Sequence, residues 1–517
     1  MQTWLKVKQE VRALHQRIFY RPLLISVSKS DGGLILSSNQ VLDRLAAIGF
    51  RDPVRASQHI EALTAGLSRR AQIQRSLLPV LLEWFGAGID PDNALVAFRR
   101  LSENLGESHW YLRMLRDSSG AAERLTQVLA NSKFATNLFE LVPEAAAWLE
   151  DPASLQPKTE IELESEAQSI HARHASLEEF ANSVRNIRRR EMLRLVIGSV
   201  LSETQLEEVS QGLSHLTSWY LKTLTSAIVS DLGSPSIDFG IVAMGRFGGE
   251  ELDFASDADL MFTYRPLEIP NEVAQKKAEE IVRLLGKYSK DQQLEFEMDL
   301  GLRPEGKNGP VARSMDSYTA YYARWSDAWE NQALLRARVI YGSDQLVKDF
   351  TELANKYRYP EKLDVRVVTE IRRIKARVEN ERLPMGADPK RHLKLGRGTL
   401  SDVEWLVQLL QLKYGNQHRS IRTPKTLEAL DNLVAEKLLE PSDARVLKES
   451  WILCSKLRAT IVLCFGKRND LLPTARNDIK AIGRSMGYPR SFATEIEESY
   501  LAHTRRARMV FERVFFE

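Results

Sequence analysis

Two aspartates near the middle of the chain, Asp257 and Asp259, have the spacing expected of a divalent-metal site. They stand at the entry to Asp259-Leu-Met-Phe-Thr-Tyr, an apolar run typical of a strand. Residues two apart on a strand point to the same side, so both carboxylates can bind one Mg²⁺, a hard cation that takes oxygen ligands. Asp299, on the alternating segment Leu294-Glu-Phe-Glu-Met-Asp-Leu, is the candidate third carboxylate and would allow a second ion to bind.

A diglycine turn precedes the two aspartates. Gly248 and Gly249 follow the strand-like segment 237–244, and Ser256 stands directly before Asp257. Glycine lets backbone amides approach an anion closely, so we expect the amides near Gly248 and Gly249, with Ser256, to hold a triphosphate. An isolated D-x-D pair is often no more than two surface acids. The turn, the paired aspartates and the later acid together predict metal-assisted phosphoryl chemistry.

The elements that position these residues form a small sheet between two helical blocks. Alternation predicts strands over 237–244, 259–264 and 294–300, with a helix over about 271–290 between the second and the third. Elsewhere apolar residues recur at three-to-four spacing, and Asp-Pro pairs provide helix starts. The fold class is therefore mainly α with an embedded α+β domain.

Four parts are expected along the chain. They are an N-terminal helical region over 1–150, a helical segment over 151–234, a catalytic domain over 235–345 and a C-terminal helical bundle over 346–517. A polar stretch with two prolines, 151–158, is the first candidate linker.

Composition narrows the function classes. The 72 basic and 69 acidic residues leave a net charge of +3, which gives no global field for nucleic acid. No apolar run is long enough to span a membrane, and the first ten residues lack a signal-peptide core. The two cysteines, Cys454 and Cys464, form neither a disulfide framework nor a zinc motif. A cytoplasmic location is expected.

Four blocks of sequence, in order, resemble the glutamine synthetase adenylyltransferase family, which belongs to the polymerase-β-type nucleotidyltransferases. The family patterns are G-K-L-G-G-x-E-L-x-x-x-S-D-x-D-L, D-x-R-L-R-P-x-G, W-E-x-Q-A-L-x-R-A-R and K-x-x-x-G-G-I-x-D-I-E-F-x-x-Q. The corresponding blocks here are Gly245-Arg-Phe-Gly-Gly-Glu-Glu-Leu-Asp-Phe-Ala-Ser-Asp-Ala-Asp-Leu, Asp299-Leu-Gly-Leu-Arg-Pro-Glu-Gly, Trp329-Glu-Asn-Gln-Ala-Leu-Leu-Arg-Ala-Arg and Lys394-Leu-Gly-Arg-Gly-Thr-Leu-Ser-Asp-Val-Glu-Trp-Leu-Val-Gln.

The resemblance implies a polymerase-β-like catalytic domain that uses ATP and Mg²⁺ to place AMP on a tyrosine of glutamine synthetase, with pyrophosphate released. This would down-regulate nitrogen assimilation. The family's enzymes carry two such halves, and this chain carries one set of motifs. The third and fourth blocks look more like the adenylylating, C-terminal half than the half that removes AMP by phosphorolysis. Glutamine and the PII signalling protein regulate relatives, so both are possible effectors.

Further residue roles follow from the same resemblance. Asp257, Asp259 and Asp299 are expected to be the catalytic metal ligands, with Arg246 and Arg303 among the nucleotide contacts. The alternative for Arg303 is a surface pair with Glu305. Arg336 and Arg338 either face the nucleotide or close the domain interface. In departures from the family pattern, Arg246-Phe247 replaces K-L, Gly301 replaces an arginine and Thr399 replaces a glycine.

Other functions remain open at this level. One is a related nucleotidyltransferase acting on nucleic acid or a small hydroxyl compound, against which the neutral charge and the later blocks both argue. Another is the AMP-removing half. A third is a non-catalytic helical regulatory protein that retains the nucleotidyltransferase domain, against which the three intact carboxylates argue.

Overall fold

Helices with conventional caps build the first part of the protein. A computed structural model describes residues 37–171, 176–233 and 236–516, together with Tyr20 and Leu23. At the predicted Asp-Pro starts, the carboxylates of Asp52 and Asp90 accept hydrogen bonds from the amides of Arg55 and Asn93, with proline at the first helical position. The helices before the sheet are α1 (Ser38–Ile48), α2 (Pro53–Thr64), α3 (Arg69–Ala87), α4 (Pro91–Leu105), α5 (His109–Asp117), α6 (Ser119–Asn131), α7 (Lys133–Leu141), α8 (Glu160–His171), α9 (Leu177–Val200) and α10 (Leu206–Asp231).

A mixed sheet follows in the order β3-β2-β1-β5, with β4 also paired to β2. Strands β1 and β2 are antiparallel, whereas β3 and β4 run parallel to β2. In this region the described elements are β1 (Ile237–Ala243), the single-turn helix α11 (Gly245–Gly248), β2 (Ala258–Pro266), α12 (Asn271–Tyr288), β3 (Met298–Asp299), β4 (Ala312–Ser314), α13 (Met315–Arg324), α14 (Ala328–Ala333) and β5 (Arg338–Tyr341).

The two central strands, β1 and β2, are buried on both faces. Alternate residues of β1 and β2 pack to opposite sides: Ile241 and Phe262 join the core shared with the N-terminal helices, whereas Val242 and Met261 join a smaller core with α13. Successive residues of a strand point to opposite faces, so each strand contributes to both cores.

The prediction of the third strand is wrong over most of its length, because only Met298–Asp299 pairs with β2. Two upstream carbonyls are occupied by another group: Arg188 on α9 donates to the oxygens of Leu294 and Glu295, at 2.8 and 3.1 Å. These carbonyls therefore accept hydrogen bonds from α9 instead of pairing with a neighbouring strand. The sequence also gave no prediction of β4 and β5, which are three and four residues long.

The chain ends in a second helical block with its own core. Leu406, Leu430, Leu457 and Phe511, from four different helices, are buried together there. The described helices are α15 (Asp344–Arg358), α16 (Val365–Glu381), α17 (Leu400–Tyr414), α18 (Thr426–Ala435), α19 (Pro441–Phe465), α20 (Arg476–Ser485) and α21 (Glu495–Phe516). The prediction of a mainly α protein with an embedded α+β domain is confirmed. The four domain boundaries stay a prediction.

Candidate active site

The three predicted carboxylates converge at one end of the sheet. The parallel pairing of β2 with β3 sets Asp259 directly beside Asp299, and Asp257 comes one residue before β2 begins. One carboxylate oxygen from each lies within 4.8 Å of the others. Asp257 and Asp259 are half-buried, whereas Asp299 is exposed. Asp299 Oδ1 also accepts a 2.7 Å hydrogen bond from the amide of Gly301, so the loop after β3 orients this side chain.

The crowded negative charges make the carboxyl group of Asp259 harder to ionise. Burial, with the neighbouring charge of Asp257, raises the pKa of Asp259 to about 7, although the positive charge of Lys394 opposes the rise. Three oxygen donors that repel one another in this way are chemically suited to a small divalent cation such as Mg²⁺. The donor set therefore fits the metal that the sequence predicts.

Glycine at position 245 brings the backbone against Asp259, a feature the sequence reasoning did not single out. Gly245 has φ +53°, and a Cβ atom there would overlap Oδ2 of Asp259. The amide of Met244, one residue earlier, donates to the carbonyl of Asp259 at 2.9 Å. The available sequence signal was a glycine placed immediately after the first strand.

The diglycine turn has a packing role in the structure. The amides of Gly248 and Gly249 donate to the carbonyls of Met244 and Gly245, at 2.8 and 3.2 Å, within the single turn of α11. A Cβ atom on Gly248 would overlap the carbonyl oxygen of Arg336. Glycine is needed here for close backbone approach between α11 and the segment before β5, and phosphate binding by these amides stays a prediction.

Ser256 organises the turn that leads into β2. Its hydroxyl accepts from the amide of Asp253 at 3.1 Å and donates to the Asp253 carboxylate at 3.0 Å. The contact of Ser256 with a nucleotide likewise stays a prediction.

The two arginines predicted to contact the nucleotide are occupied by protein groups. Arg246 is buried, donates to the carbonyl of Glu251 at 2.9 Å and lies 3.3 Å from the carboxylate of Glu404. Arg303 donates to the carbonyls of Leu300, Lys307 and Gly309 and so folds the loop after β3 on itself.

Arg303 does not form its predicted alternative pair either. Arg303 makes no ion pair with Glu305 among the described residues, because the Glu305 carboxylate pairs with Arg313 instead. Nη2 of Arg246 has no hydrogen-bond partner among the described residues, and nucleotide contacts for Arg246 and Arg303 stay a prediction.

Buried ion pairs fix the sheet domain against the C-terminal helices. Glu251 in the turn after α11 pairs with Arg336 and accepts a 2.9 Å bond from the hydroxyl of Thr426 on α18. Asp253 pairs at 2.5 Å with Arg458 on α19, and both side chains are 2% exposed. Arg336 also lies 3.5 Å from the carboxylate of Glu404 on α17, and whether it faces the nucleotide or closes a domain interface stays a prediction.

A cavity of about 490 Å³ opens beside the carboxylates. It borders Ser256 and Asp257 and has the rings of Phe254 and Phe296 in its lining, with Arg468 also present. Its size and aromatic lining suit a flat ring, whether a nucleobase or a phenol side chain.

Among the described residues, no helix combines the length and the apolar character needed to cross a membrane.

Two protein-family models match different parts of the chain. Residues 122–353 match the model described as Glutamate-ammonia ligase adenylyltransferase, and residues 371–515 match the model described as GlnD PII-uridylyltransferase. The first match contains the sheet and all three carboxylates, and the second lies within the C-terminal helices.

Similarity over nearly the whole of this chain extends to curated bacterial proteins named bifunctional glutamine synthetase adenylyltransferase/adenylyl-removing enzyme. The protein of Leifsonia xyli subsp. xyli is 51% identical over 99% of this chain and 52% of its own length. The protein of Streptomyces avermitilis is 42% identical over 99% of this chain and 54% of its own, and that of Cutibacterium acnes is 38% identical over 99% and 52%. The chain thus spans about half the length of the curated relatives it matches.

Proposed function

We propose that this chain, whose residues 122–353 match the glutamate-ammonia ligase adenylyltransferase model, belongs to that family and transfers AMP from ATP to a tyrosine of glutamine synthetase. Glutamate-ammonia ligase is glutamine synthetase named by its reaction. Pyrophosphate would be released, and nitrogen assimilation would be reduced. The observation that carries this proposal is the convergence of Asp257, Asp259 and Asp299 at one end of the sheet, with Asp257 also bordering the cavity.

Nucleotidyltransferases generally use a divalent metal, and Asp257, Asp259 and Asp299 are the residues that would hold Mg²⁺ here. When bound, the ion supplies neutralisation of phosphate charge and acidifies the acceptor hydroxyl. Asp299 is the most exposed of the three and is the one positioned to receive the phenol proton as its oxygen attacks the α-phosphorus. The buried interdomain pairs keep the catalytic groups in a fixed arrangement, so that positioning supplies much of the rate.

The proposed direction of the reaction, addition of AMP rather than its removal, rests on two blocks of sequence. The strings that begin at Trp329 and at Ser401 resemble the adenylylating, C-terminal half of the family. In the structure Gln332, from the first string, donates at 2.7 Å to Gln408 on α17, close to the second. The relatives' printed name includes adenylyl removal, so phosphorolytic removal of AMP is the second candidate function.

The proposal extends to partners and location. ATP is the nucleotide, glutamine synthetase is the protein substrate, and the cytoplasm is the compartment in which they meet. Glutamine and PII are proposed effectors, for which the match of residues 371–515 to a PII-uridylyltransferase model is supporting evidence.

The decisive test is incubation of the chain with α-labelled ATP, Mg²⁺ and glutamine synthetase from the same organism. Label on a tyrosine of the synthetase would support adenylylation. With pre-adenylylated synthetase and phosphate, release of ADP would instead establish the removing reaction. Absence of both activities would contradict the proposal.

Two matched variants assign the chemistry to the carboxylates. Asp299→Asn is expected to reduce transfer at least about 100-fold, because it removes both a metal ligand and a proton acceptor. Glu268→Gln removes an exposed carboxylate in the loop after β2, outside the triad and the cavity lining, and is expected to retain activity. Equal losses in the two variants would contradict the assignment of Asp299.

A further inference from the structure

The strand that carries Asp299 is short, so the loop after it contributes to the position of this carboxylate. Strand β3 is Met298–Asp299, whose two residues pair with Ala258 and Asp259 of β2. Asp299 is the last residue of the strand, and its Oδ1 accepts a 2.7 Å hydrogen bond from the amide of Gly301 in the loop. Whatever fixes this loop therefore also fixes the Asp299 carboxylate.

Arg303 holds the two ends of the loop together. Its guanidinium donates to the carbonyl of Leu300, directly after Asp299, at 2.7 Å. It also donates to the carbonyls of Lys307 and Gly309, at 3.2 Å each. Because these bonds join its beginning to its end, the segment 299–309 behaves as one folded unit.

Glu305 is the point at which this loop reverses direction. The amide of Gly306 donates to the carbonyl of Arg303 at 2.8 Å across the turn, and the carboxylate of Glu305 pairs with Arg313 on β4. The backbone of Glu305 has φ +63°, in the left-handed region that a residue with a side chain rarely adopts. Such a conformation persists only where neighbouring contacts fix it.

Glu330 on α14 makes a contact that fixes Glu305. Its side chain is 1% exposed, and Oε1 accepts from the amide of Glu305 at 3.1 Å. The same carboxylate accepts from the amide of Asp327 at 2.8 Å and from the hydroxyl of Tyr321 at 2.9 Å. The bond to Asp327 belongs to the cap of α14. The bond to Glu305 instead reaches a loop 25 positions away, and a carboxylate makes it stronger than a neutral acceptor would.

This contact joins two of the blocks singled out in the sequence. Glu305 lies in the block that begins at Asp299, and Glu330 is the second residue of the block that begins at Trp329. We propose that Glu330 is a positioning residue for Asp299, acting through the amide of Glu305 and the loop between them. The inference rests on the proposed AMP transfer, in which Asp299 holds metal and receives the phenol proton. Because Glu330 is buried, its contribution is to fix Asp299 before the reaction begins.

Amide hydrogen exchange, followed by mass spectrometry on the full chain in EDTA, tests the contact without substrate or metal. In Glu330→Gln one acceptor oxygen becomes an NH2 group, which cannot accept a hydrogen bond. Residues 299–309 should then exchange about 10-fold or more faster than in the wild type, the effect of losing one charge-assisted bond. The strands β1 and β2 should exchange as in the wild type.

Asp327→Ala is the matched control. It removes the side-chain cap at the start of the same helix but leaves the Glu330 carboxylate and the Glu305 amide in place. Residues 299–309 of this variant should therefore exchange at the wild-type rate, and its kcat for AMP transfer should be retained.

Steady-state kinetics separate positioning from a general structural role. Glu330→Gln should lower kcat about 10-fold or more, because Asp299 acts in the chemical step, and should leave the KM for glutamine synthetase within about twofold. A normal kcat, or a loss expressed only in this KM, would overturn the inference. Unchanged exchange at 299–309 in Glu330→Gln, or equal acceleration in Asp327→Ala, would also overturn it.

The wild-type chain keeps the inference testable if Glu330→Gln does not fold. Protection of the Glu305 amide in the wild type would support the contact, and exchange of that amide at its unprotected rate would overturn it. A wild-type chain that neither adds nor removes AMP would refute the proposed function. Faster exchange confined to 299–309 in Glu330→Gln would even then support the role of Glu330 in holding Asp299.

Discussion

Removing Asp259, a proposed catalytic carboxylate, should stabilise the metal-free protein. Folding imposes an electrostatic penalty on the charged form of Asp259, because the side chain is buried and lies next to Asp257. The substitution Asp259→Asn removes that penalty while keeping a side chain of nearly the same size. We therefore expect the variant to be inactive in AMP transfer and, in the presence of a chelator, more resistant to unfolding than the wild type.

The size and pH dependence of this effect follow from the pKa of Asp259. The pKa rises from an ordinary 3.8 to about 7 in the folded protein, so the folded state binds the proton more tightly than the unfolded state. The cost of ionisation is absent below about pH 4, grows as the pH rises and is complete above about pH 7. This rise in the pKa of Asp259 corresponds to a free-energy difference of about 4 kcal/mol. That value is the upper limit of the stabilisation expected for Asp259→Asn at pH 8.

Urea unfolding of both proteins at pH 4.5 and pH 8, with EDTA and then with Mg²⁺, measures the prediction. The advantage of Asp259→Asn should be small at pH 4.5 and large at pH 8 in EDTA. Mg²⁺ should narrow it by stabilising the wild type more than the variant. Glu297→Gln, at an exposed carboxylate outside the triad, should show little difference at either pH. A variant less stable than the wild type at pH 8 in EDTA, or an advantage independent of pH, would refute the reasoning.

Three further outcomes are expected. Gly248→Ala should destabilise the protein by about 2–4 kcal/mol in chemical unfolding, because the new methyl group overlaps the carbonyl of Arg336; an unchanged midpoint would contradict this. Arg458→Met should cost about 3–5 kcal/mol by the same measurement, since it leaves a buried carboxylate without its partner, and a neutral result would show that the interface repacks. His215, 3.7 Å from the carboxylate, and Lys425, at 2.9 Å, lower the pKa of Glu250 to about 2, so Glu250 contributes stability above about pH 4.5 that is lost as the pH falls toward 2. Glu250→Gln should remove about 1 kcal/mol of that acid sensitivity, after allowance for solvent screening, and an unaltered acid-unfolding curve would argue against it.

Local patterns in the sequence predicted the parts of the fold that depend on periodicity. Strands β1 and β2 are runs rich in branched and aromatic apolar residues because each is buried on both faces by different cores, and that composition is visible in the sequence. The segment before Asp299 alternates strictly, yet its carbonyls bind Arg188, which lies more than one hundred residues earlier. A period-two pattern therefore predicts an extended backbone but does not identify the partner that the backbone bonds to.

The sequence by itself determined which carboxylates are candidates for the site, because Asp257 and Asp259 are related by strand geometry and Asp299 stands on a second extended segment. Only the tertiary structure decided which protein groups the nearby cations contact. Arg246 and Arg336 were reasonable phosphate contacts by position, but both pair with Glu404 from the C-terminal helices. Whether a charge is satisfied depends on groups brought within a few ångströms by packing, and those groups lie up to about 160 positions away in the chain.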